Sequence, residues 1–282
     1  MRLIKSAREM RSFSLKAKSH GKKIAFVPTM GALHEGHLSL VTEAKKLGAI
    51  VVVSIFVNPI QFGPAEDFGR YPRDIKKDKK LLKNLNVDAL FLPPVSEIFP
   101  KGFRTYVAVE GLSKKLCGRS RPEHFRGVTT MVSKLFNIVL PDYALFGEKD
   151  YQQQAIIRQM ARDLNQPVEV RSFPTVREYD GLAMSSRNRY LGPAERKSAV
   201  ILYQALNLGR RLVEDGERES KKILSPMRSL IFSEAGIRID YLMVIDPVSL
   251  DEIEKIKQRA VIAVAAYLGK TRLIDNMTVA TR

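Results

Sequence analysis

The feature that most constrains this chain is a β-branched, mostly apolar run, AIVVVSIFVN, at residues 49–58. A half-buried strand alternates apolar and polar side chains, but this run is apolar on both faces, which is typical of a parallel strand buried between two layers. A helix of this length is far too short to span a bilayer. The run therefore favours an α/β protein in which helices cover both faces of a central sheet.

Strand-like and helix-like segments alternate through the first part of the chain. The predicted strands are Lys23–Thr29, Ala49–Asn58, Val87–Pro93, Tyr143–Asp150 and Val168–Glu178, with a shorter one in RTYVAVEG at 104–111. The predicted helices are Gly36–Gly48, Asp74–Leu85, Gly127–Asp142 and Tyr151–Asn165. This alternation predicts a doubly wound, Rossmann-like parallel sheet, in which ligands bind beyond the carboxyl ends of the strands.

The pattern changes after about Arg177. Two helices are predicted at Gly192–Gly216 and Ser220–Ala235, and three strand-like segments follow, at Ile239–Asp246, Ala260–Gly269 and 271–279. We therefore expect two domains, a Rossmann-like domain at residues 1–176 and a smaller α+β domain at residues 177–282.

The chain is strongly basic. Its 282 residues include 47 Lys and Arg against 30 Asp and Glu, a formal net charge of +17. Such a balance raises the hypothesis of a nucleic-acid partner, but the basic residues are spread along the chain, without a long basic tail or a zinc-finger, RNA-recognition or basic-zipper pattern. The alternative is a basic surface with a pocket for anionic small molecules, and on that interpretation we expect no nucleic acid as a partner.

Cysteine content and the N-terminal residues bear on the compartment. A single cysteine, Cys117, excludes an internal disulfide and a cysteine-rich metal site. The first residues, MRLIKSAREMRSFS, are basic but have no apolar core and no cleavage site of small residues, so they do not form a secretory signal. We expect a cytoplasmic protein without a membrane partner.

The segment PTMGALHEGHLSL, residues 28–40, contains His34 and His37, two of the four histidines. Zinc-binding HExxH needs histidines at i and i+4, whereas these are at i and i+3 with no obvious third ligand. Two interpretations stay open: histidines that cap a helix start, and a nucleotide site. In the second, a helix N-terminus binds phosphate, Gly36 allows close approach, and two imidazoles donate hydrogen bonds. The segment matches neither the P-loop nor the dinucleotide fingerprint.

A second polar segment, GLAMSSRNRYL at residues 181–191, follows the last predicted strand of the first domain. Two hydroxyls and a guanidinium, in Ser185, Ser186 and Arg187, can bind a phosphate chain, although such a run alone also suits a solvated loop. Paired with HEGH, the MSSRN run resembles the two signatures of the nucleotidyltransferase superfamily that includes class I aminoacyl-tRNA synthetases. Members of that superfamily bind ATP between an HxGH turn and a KMSKS-type loop, and Arg187 stands where a lysine is frequent.

Further blocks narrow the resemblance. They are FVNPIQFGPAEDFGRYPRD at 56–74, RPEHFRGVTTMVSKLFNIVLPD at 121–142 and FGEKDYQQ at 146–153. With the two motifs above, in order over nearly the whole chain, they resemble the pantoate–β-alanine ligase family. The resemblance implies ATP-dependent condensation of (R)-pantoate with β-alanine through a pantoyl adenylate, giving pantothenate, AMP and pyrophosphate in coenzyme A biosynthesis. It also implies a homodimer whose second domain covers the active site.

The resemblance implies a role for each matching residue. His37 matches the family's catalytic proton donor, with His34 beside it at the α-phosphate, and Lys149 matches the principal phosphate cation. For Lys149 the alternative is a surface salt bridge with Glu148 or Asp150. The implied ATP-binding residues are Met30, Gly31, Ala32, Leu33, His34, Glu35, Gly36, His37, Gly147, Glu148, Lys149, Asp150, Val176, Met184, Ser185, Ser186 and Arg187.

Amide side chains are the candidates for the acyl substrate. Gln61 and Gln153 are expected to bind pantoate, because an amide both donates to and accepts from hydroxyl and carboxylate groups. Gln61 is also the candidate for β-alanine binding, and Asn58 and Tyr71 are second-rank pocket residues.

Mg²⁺ is expected to arrive with ATP, because it keeps several waters and favours phosphate oxygens over a protein cage. Asp78 aligns with a family carboxylate near the metal, but its KKDKK setting at residues 76–80 suits a solvated helix face equally well. Two rival functions also stay open: an RNA-linked member of the superfamily, which the charge favours, and a transferase that uses another nucleotide such as CTP.

Overall fold

The computed structural model of the protein describes residues 1–64 and 66–281. The chain divides into two compact units. The first comprises Met1–Lys114, Gly118–Glu148 and Gln152–Pro174, and the second comprises Lys115–Cys117, Lys149–Tyr151 and Thr175–Arg282.

The helices and strands of the described residues are as follows. The strands are β1 Arg2–Ile4, β2 Ile24–Thr29, β3 Ile50–Ile55, β4 Ala89–Phe91, β5 Tyr143–Gly147, β6 Glu169–Phe173, β7 Ile237–Ile245, β8 Arg259–Leu268 and β9 Thr271–Ala280. The helices are α1 Ala7–Ser19, α2 Glu35–Lys46, α3 Ile75–Asn84, α4 Val95–Ile98, α5 Cys117–Ser120, α6 His124–Val139, α7 Tyr151–Asp163, α8 Pro193–Ser198, α9 Ile201–Glu214 and α10 Ser220–Phe232.

The first unit is built on a six-stranded sheet in the order β1-β4-β3-β2-β5-β6. Each neighbouring pair of strands in it is parallel. The direction of winding reverses between β2 and β5, since β3 and β4 lie to one side and β6 to the other. Ligands of open α/β sheets bind beyond the carboxyl ends of the strands at such a reversal. The doubly wound sheet predicted from the sequence is confirmed.

The central strands form because their side chains are apolar on both faces. Within β2 and β3, all but the two positions Pro28 and Ile50 are buried. One face packs on α2 and α3 in a cluster that includes Leu33 from the turn after β2 and Leu82 from α3. The apolar core therefore reaches into the turn and fixes one of its side chains.

Residues 104–111, all of them described, form no strand, so the prediction from RTYVAVEG is wrong. The backbone of Val107 bonds to hydroxyls of α6 instead. Its N–H donates to Thr130 Oγ1 at 2.9 Å, and its carbonyl accepts from Thr129 Oγ1 at 2.7 Å. Side chains thus satisfy the groups that a neighbouring strand would otherwise pair.

The largest differences from the predicted extents concern two elements. Strand β6 ends at Phe173, five residues before the predicted Glu178, because the next residue is Pro174, which has no N–H for a strand ladder. The predicted helix Gly192–Gly216 is divided into α8 and α9, although the two residues between them keep right-handed helical dihedral angles. No element was predicted for β1, α1, α4 or α5.

The second unit carries a three-stranded antiparallel sheet in the order β7-β8-β9. Its core combines β8 with the apolar faces of α9 and α10, including Leu206, Met227 and Ile262. The smaller α+β fold expected after the Rossmann-like part is confirmed. Among the described residues, no helix is both long and apolar enough to cross a membrane.

Candidate active site

The segment between β2 and the first turn of α2, residues 30–37, is called the histidine turn below. It is tightly built, because Gly31 has φ +82° and Ala32 has φ +50°. A Cβ on Gly31 would lie 2.9 Å from Ile55 Cγ2 and 3.1 Å from Asp78 Oδ2, so a side chain does not fit there. Left-handed φ is also unfavourable for alanine, so other contacts must hold Ala32 in its conformation.

Asp78 of α3 supplies those contacts. Its carboxylate accepts the N–H of Ala32 and the N–H of Leu33, each at 2.9 Å. The residue is 1% exposed, so the alternative of a solvated helix face is wrong for Asp78. The reason is that Asp78 and Leu82, one helical turn apart, form the buried side of α3 while most of the neighbouring lysines face outward.

The backbone of the histidine turn is therefore bonded largely to the protein itself. Besides the two N–H groups held by Asp78, the N–H of Gly31 donates to Thr29 Oγ1 at 3.1 Å. A phosphate cradle made of the N–H groups of residues 31–33 would have to break these bonds. The N–H groups of Gly31, Ala32 and Leu33 are therefore already engaged within the protein.

His34 and His37 are oriented by the same turn. His34 is the N-cap of α2, and its Nδ1 accepts the N–H of Gly36 at 3.2 Å. The Nδ1 of His37 accepts the N–H of His34 at 3.4 Å, and the ring centroids are 4.1 Å apart at 45°. Because an Nδ1 that accepts a backbone N–H cannot also carry a hydrogen, these contacts favour the Nε2–H tautomer in both rings. The helix-capping interpretation is confirmed, and it makes both histidines donors through Nε2.

The loop after β3 places Asn58 and Gln61 beside the histidine turn. Asn58 is fully buried, and its Nδ2 donates to Gln61 Oε1 and to the carbonyl of Gly127, each at 3.0 Å. The Nε2 of Gln61 donates to Met30 Sδ at 3.1 Å. Gln61, predicted to bind pantoate and β-alanine, is thus in direct contact with Met30, predicted to bind ATP, and with Asn58, a second-rank pocket residue.

A charged cluster that the sequence reasoning missed supports Gln61. The Nδ1 of His124 lies 2.8 Å from the Gln61 carbonyl, and its Nε2 lies 3.2 Å from Arg121 Nη1. Arg121 also donates from Nε to Glu66 Oε1 at 2.6 Å. Burial raises the pKa of Glu66, but the Arg121 guanidinium outweighs burial and keeps that pKa below its usual value. The signal in the sequence was the basic turn RPEHFR ahead of α6.

Close packing at Gly127 also holds this loop. A Cβ on Gly127 would lie 2.3 Å from the carbonyl oxygen of Ile60, so α6 approaches the loop as closely as a backbone can.

Tyr71, the other second-rank candidate, is 6% exposed, and its ring lies 6.1 Å from that of Phe62. Of the acyl-substrate candidates, Gln153 lies in the first turn of α7 and is half-buried.

In the second unit, Lys149 lies in a short 3₁₀ turn after β5. Its Nζ is 3.8 Å from Asp150 Oδ1, which is long for an ion pair, and the Asp150 side chain is 49% exposed. Exposed pairs of this kind contribute little to stability. The Lys149 carbonyl accepts a hydrogen bond from Asn276 Nδ2 of β9 at 2.9 Å. Asn276 was not a predicted site residue, because residues 271–279 show only a strand pattern.

Residues 175–188 of the second unit form a hairpin followed by a 3₁₀ turn. The N–H of Met184 donates to the Val176 carbonyl at 3.0 Å, which brings two predicted ATP-binding residues together. Ser185 caps the 3₁₀ turn, and its Oγ accepts the N–H of Arg187 at 3.3 Å. Ser186 is buried.

The hairpin is fixed to the core of the second unit by a buried ion pair. Arg177 donates from Nη1 to Asp275 Oδ2 at 2.6 Å and from Nη2 to Asp275 Oδ1 at 3.1 Å. Burial raises the pKa of Asp275 even though Arg177 and the neighbouring N–H of Asn276 oppose that shift. Asp275 and Asn276 are adjacent on β9, so consecutive residues hold the hairpin and the Lys149 turn.

The described residues do not form a protein cage for Mg²⁺. Among them, no three His, Cys, Asp or Glu side chains lie together as a metal site would require. Both oxygens of Asp78 accept backbone N–H groups at 2.9 Å, which is a structural use of a carboxylate. Asp78 therefore does not fit the role of an all-protein Mg²⁺ ligand site.

The whole chain resembles known proteins. A family model described as pantoate-beta-alanine ligase matches residues 2–278. A pantothenate synthetase from Moorella thermoacetica is 53% identical over 98% of both chains. A crystal structure of the pantothenate synthetase from Thermus thermophilus is 46% identical, covers 98% of this chain and 99% of its own, and has a TM-score of 0.94.

A third relative was crystallised with ligands. The pantoate-beta-alanine ligase from Francisella tularensis, complexed with beta-gamma ATP and beta-alanine, is 34% identical over 98% of this chain and 97% of its own, with a TM-score of 0.81. Sequence and structure agree over nearly the full length of each relative. This chain therefore belongs to the pantoate–β-alanine ligase family, and it is a ligase that joins pantoate to β-alanine.

Proposed function

We propose that this ligase works in two steps at the carboxyl end of β2. The pantoate carboxylate first attacks the α-phosphorus of ATP, which forms pantoyl adenylate and releases pyrophosphate. The amine of β-alanine then attacks the acyl carbon, forming the amide and releasing AMP. A carboxylate is a poor acyl donor, and adenylation gives it a good leaving group. Because no covalent enzyme intermediate is needed, the chain requires no nucleophilic serine or cysteine.

The observation that carries this proposal is the pair of imidazoles at the N-terminus of α2. Their Nδ1 atoms are turned to backbone N–H groups, which leaves each ring a donor through Nε2. The positive end of the helix dipole adds to the attraction for phosphate. Donors placed where charge builds up stabilise a transition state more than the ground state. His37 and His34 are accordingly the proposed catalytic residues at the α-phosphate.

The proposed cationic contacts to ATP come from residues that the family resemblance implies. Lys149 is the main cation for the phosphates, and Ser185, Ser186 and Arg187 bind them through hydroxyl and guanidinium groups. The remaining proposed ATP contacts are Met30, Gly31, Ala32, Leu33, Glu35, Gly36, Gly147, Glu148, Asp150, Val176 and Met184. The Met184–Val176 bond supports grouping the last two as one nucleotide contact.

Gln61 is proposed to bind pantoate, and β-alanine after it, with Gln153 as the second pantoate ligand. Gln61 is 6% exposed, and its amide contacts Met30 and Asn58. An amide held in this way is a polar group with a fixed orientation that can both donate and accept hydrogen bonds. Asn58 orients Gln61 through its hydrogen bond to Oε1, and Tyr71 stays a second-rank pocket candidate.

Mg²⁺ is proposed to bind the ATP phosphates, where it would neutralise charge on the leaving pyrophosphate. We further propose a cytoplasmic homodimer without a nucleic-acid or membrane partner. The net charge of +17 also suits a rival function, that of a tRNA-binding member of the superfamily. Such a protein would bind tRNA tightly even at physiological salt, which a binding measurement across a salt series tests.

Product analysis tests the proposal directly. Pantoate, β-alanine, ATP and Mg²⁺ should yield pantothenate, AMP and pyrophosphate in equal amounts. His37→Ala should lower kcat about 10²- to 10³-fold, as the loss of one transition-state donor does. ADP and phosphate as products, turnover without β-alanine, or a preference for CTP would contradict the reaction. A near-normal kcat in the His37 variant would remove that residue from the chemistry.

A further inference from the structure

We propose that Asp78 is a positioning residue for the reaction, acting through the backbone that leads into His34. The inference rests on the proposed role of His34 and His37, and it replaces the metal role that the sequence suggested for Asp78. The carboxylate does not touch the substrate in this account. It fixes the turn that aims the imidazoles.

The geometry at Ala32 and Leu33 is that of an anion-binding nest. The backbone N–H groups of Ala32 and Leu33 converge on one carboxylate, each at 2.9 Å. The φ angles of Gly31 and Ala32 in this turn are +82° and +50°. In phosphate-binding loops such a concavity holds the ligand. Here the anion comes from the protein itself, so the nest serves to fix the turn.

The carboxylate is placed well for this purpose. It lies in the first turn of α3, where the helix dipole favours a negative charge, and its two hydrogen bonds satisfy a group that is 1% exposed. Charge-assisted bonds to backbone N–H groups are stronger than neutral ones. Asp78 therefore offsets the unfavourable left-handed φ of Ala32.

A single residue, Leu33, connects the backbone that Asp78 binds to His34. Leu33 is 2% exposed and packs in the core, and its N–H is held by Asp78, so both its side chain and its backbone are fixed. The next residue is His34, whose own N–H holds the ring of His37. A shift of the turn therefore changes both imidazoles together. Misplacement of a catalytic group by about 1 Å costs on the order of 10²-fold in rate.

The decisive variant is Asp78→Asn, which keeps the size of the side chain. The amide oxygen accepts one of the two N–H groups, while the amide NH₂ group faces the other donor. We expect kcat to fall roughly 10- to 100-fold. The half-saturating Mg²⁺ concentration should stay within about twofold of wild type, because in this account the metal contacts ATP and not Asp78.

Asp74→Ala, which removes the capping oxygen, is the matched control. Asp74 caps the same helix, where its Oδ1 accepts the N–H of Lys77 at 3.0 Å. It tests whether loss of activity follows merely from a weakened α3. We expect a lower melting temperature with kcat within about twofold of wild type, since an N-cap affects helix stability.

A spectroscopic measurement separates positioning from general stability. Nitrogen-15 NMR of the imidazoles distinguishes the Nδ1–H and Nε2–H tautomers, and the chain has only 4 histidines to assign. Wild type should show Nε2–H for His34 and His37, and Asp78→Asn should show tautomer averaging for both. Should Asp78→Asn not fold, Asp78→Glu replaces it, because one added methylene moves the carboxylate within a packed site.

Three outcomes would overturn the proposal. The first is a normal kcat with unchanged histidine signals in a folded Asp78 variant. The second is a kcat that excess Mg²⁺ restores, which would make Asp78 a metal ligand. The third is an equal loss of kcat in Asp74→Ala. His37→Ala belongs in the same assays: wild-type kcat in that variant would contradict the proposed histidine chemistry, whatever the Asp78 variants show.

Discussion

The histidine turn of the first unit and the Lys149 turn and hairpin of the second are held by different kinds of bond. A carboxylate that accepts backbone N–H groups fixes the histidine turn. The hairpin depends on an ion pair between two side chains, Arg177 and Asp275, and the Lys149 turn depends on an amide, Asn276. Backbone bonding tolerates changes in the neighbouring side chains, whereas a buried ion pair depends on both of its partners. The two regions should therefore respond differently to single substitutions.

The largest effect on stability is expected from Arg177→Met. The change leaves the Asp275 carboxylate buried without its main partner, at a cost of about 3–5 kcal/mol in the free energy of unfolding. Urea unfolding measures this decrease in the free energy of unfolding. Arg210→Met is the control, because the Arg210–Glu214 pair is 44% and 40% exposed and such pairs contribute at most about 1 kcal/mol. A loss no larger than that of the control would contradict the comparison.

The stability lost in the Arg177→Met variant should also depend on pH. Burial already raises the pKa of Asp275 above its usual 3.8, and removing Arg177 raises it further. A carboxyl with a raised pKa in the folded state binds its proton more tightly there than in the unfolded state. Stability therefore falls as the pH rises through the interval between the usual pKa and the raised one. The variant should lose more stability at neutral pH than near pH 4, and a loss independent of pH would contradict this account.

A smaller effect is expected from Asn276→Ala. Losing one hydrogen bond to the Lys149 carbonyl should cost about 1 kcal/mol in stability and lower kcat about tenfold, through misplacement of the lysine. Asn207→Ala is the control, because Asn207 Nδ2 also donates to a backbone carbonyl, that of Tyr203, at 3.1 Å. In a Lys149→Ala background the effect of Asn276→Ala on kcat should vanish. Additive effects on kcat would show that Asn276 does not act through Lys149.

Much of the fold was predictable because its strongest signals are local. Strands β2 and β3 are apolar on both faces, and this pattern alone predicts a buried parallel sheet. The prediction was wrong at RTYVAVEG, where alternation resembles a strand but the backbone bonds to threonine hydroxyls of α6. Such a partner is distant in sequence and leaves no local pattern.

The sequence was enough to name candidate site residues, but not to predict the bonds that position them. The spacing of His34 and His37 indicated two imidazoles at a helix start, but the backbone contacts of their Nδ1 atoms depend on the three-dimensional turn. Asp78 was the hardest residue to interpret, because its four lysine neighbours suggest an exposed face. Only its spacing from Leu82 indicated the buried side of α3.

The central claim, that a carboxylate attacks the α-phosphate beside the histidine turn, has one direct test. Pantoate labelled with ¹⁸O in its carboxylate is converted by the enzyme with ATP, Mg²⁺ and β-alanine, and the AMP is analysed by mass spectrometry. An adenylate intermediate transfers one carboxylate oxygen to the phosphate, so AMP should carry one ¹⁸O atom per turnover. AMP without the label would show that the carboxylate never bonded to the α-phosphorus and would contradict the account.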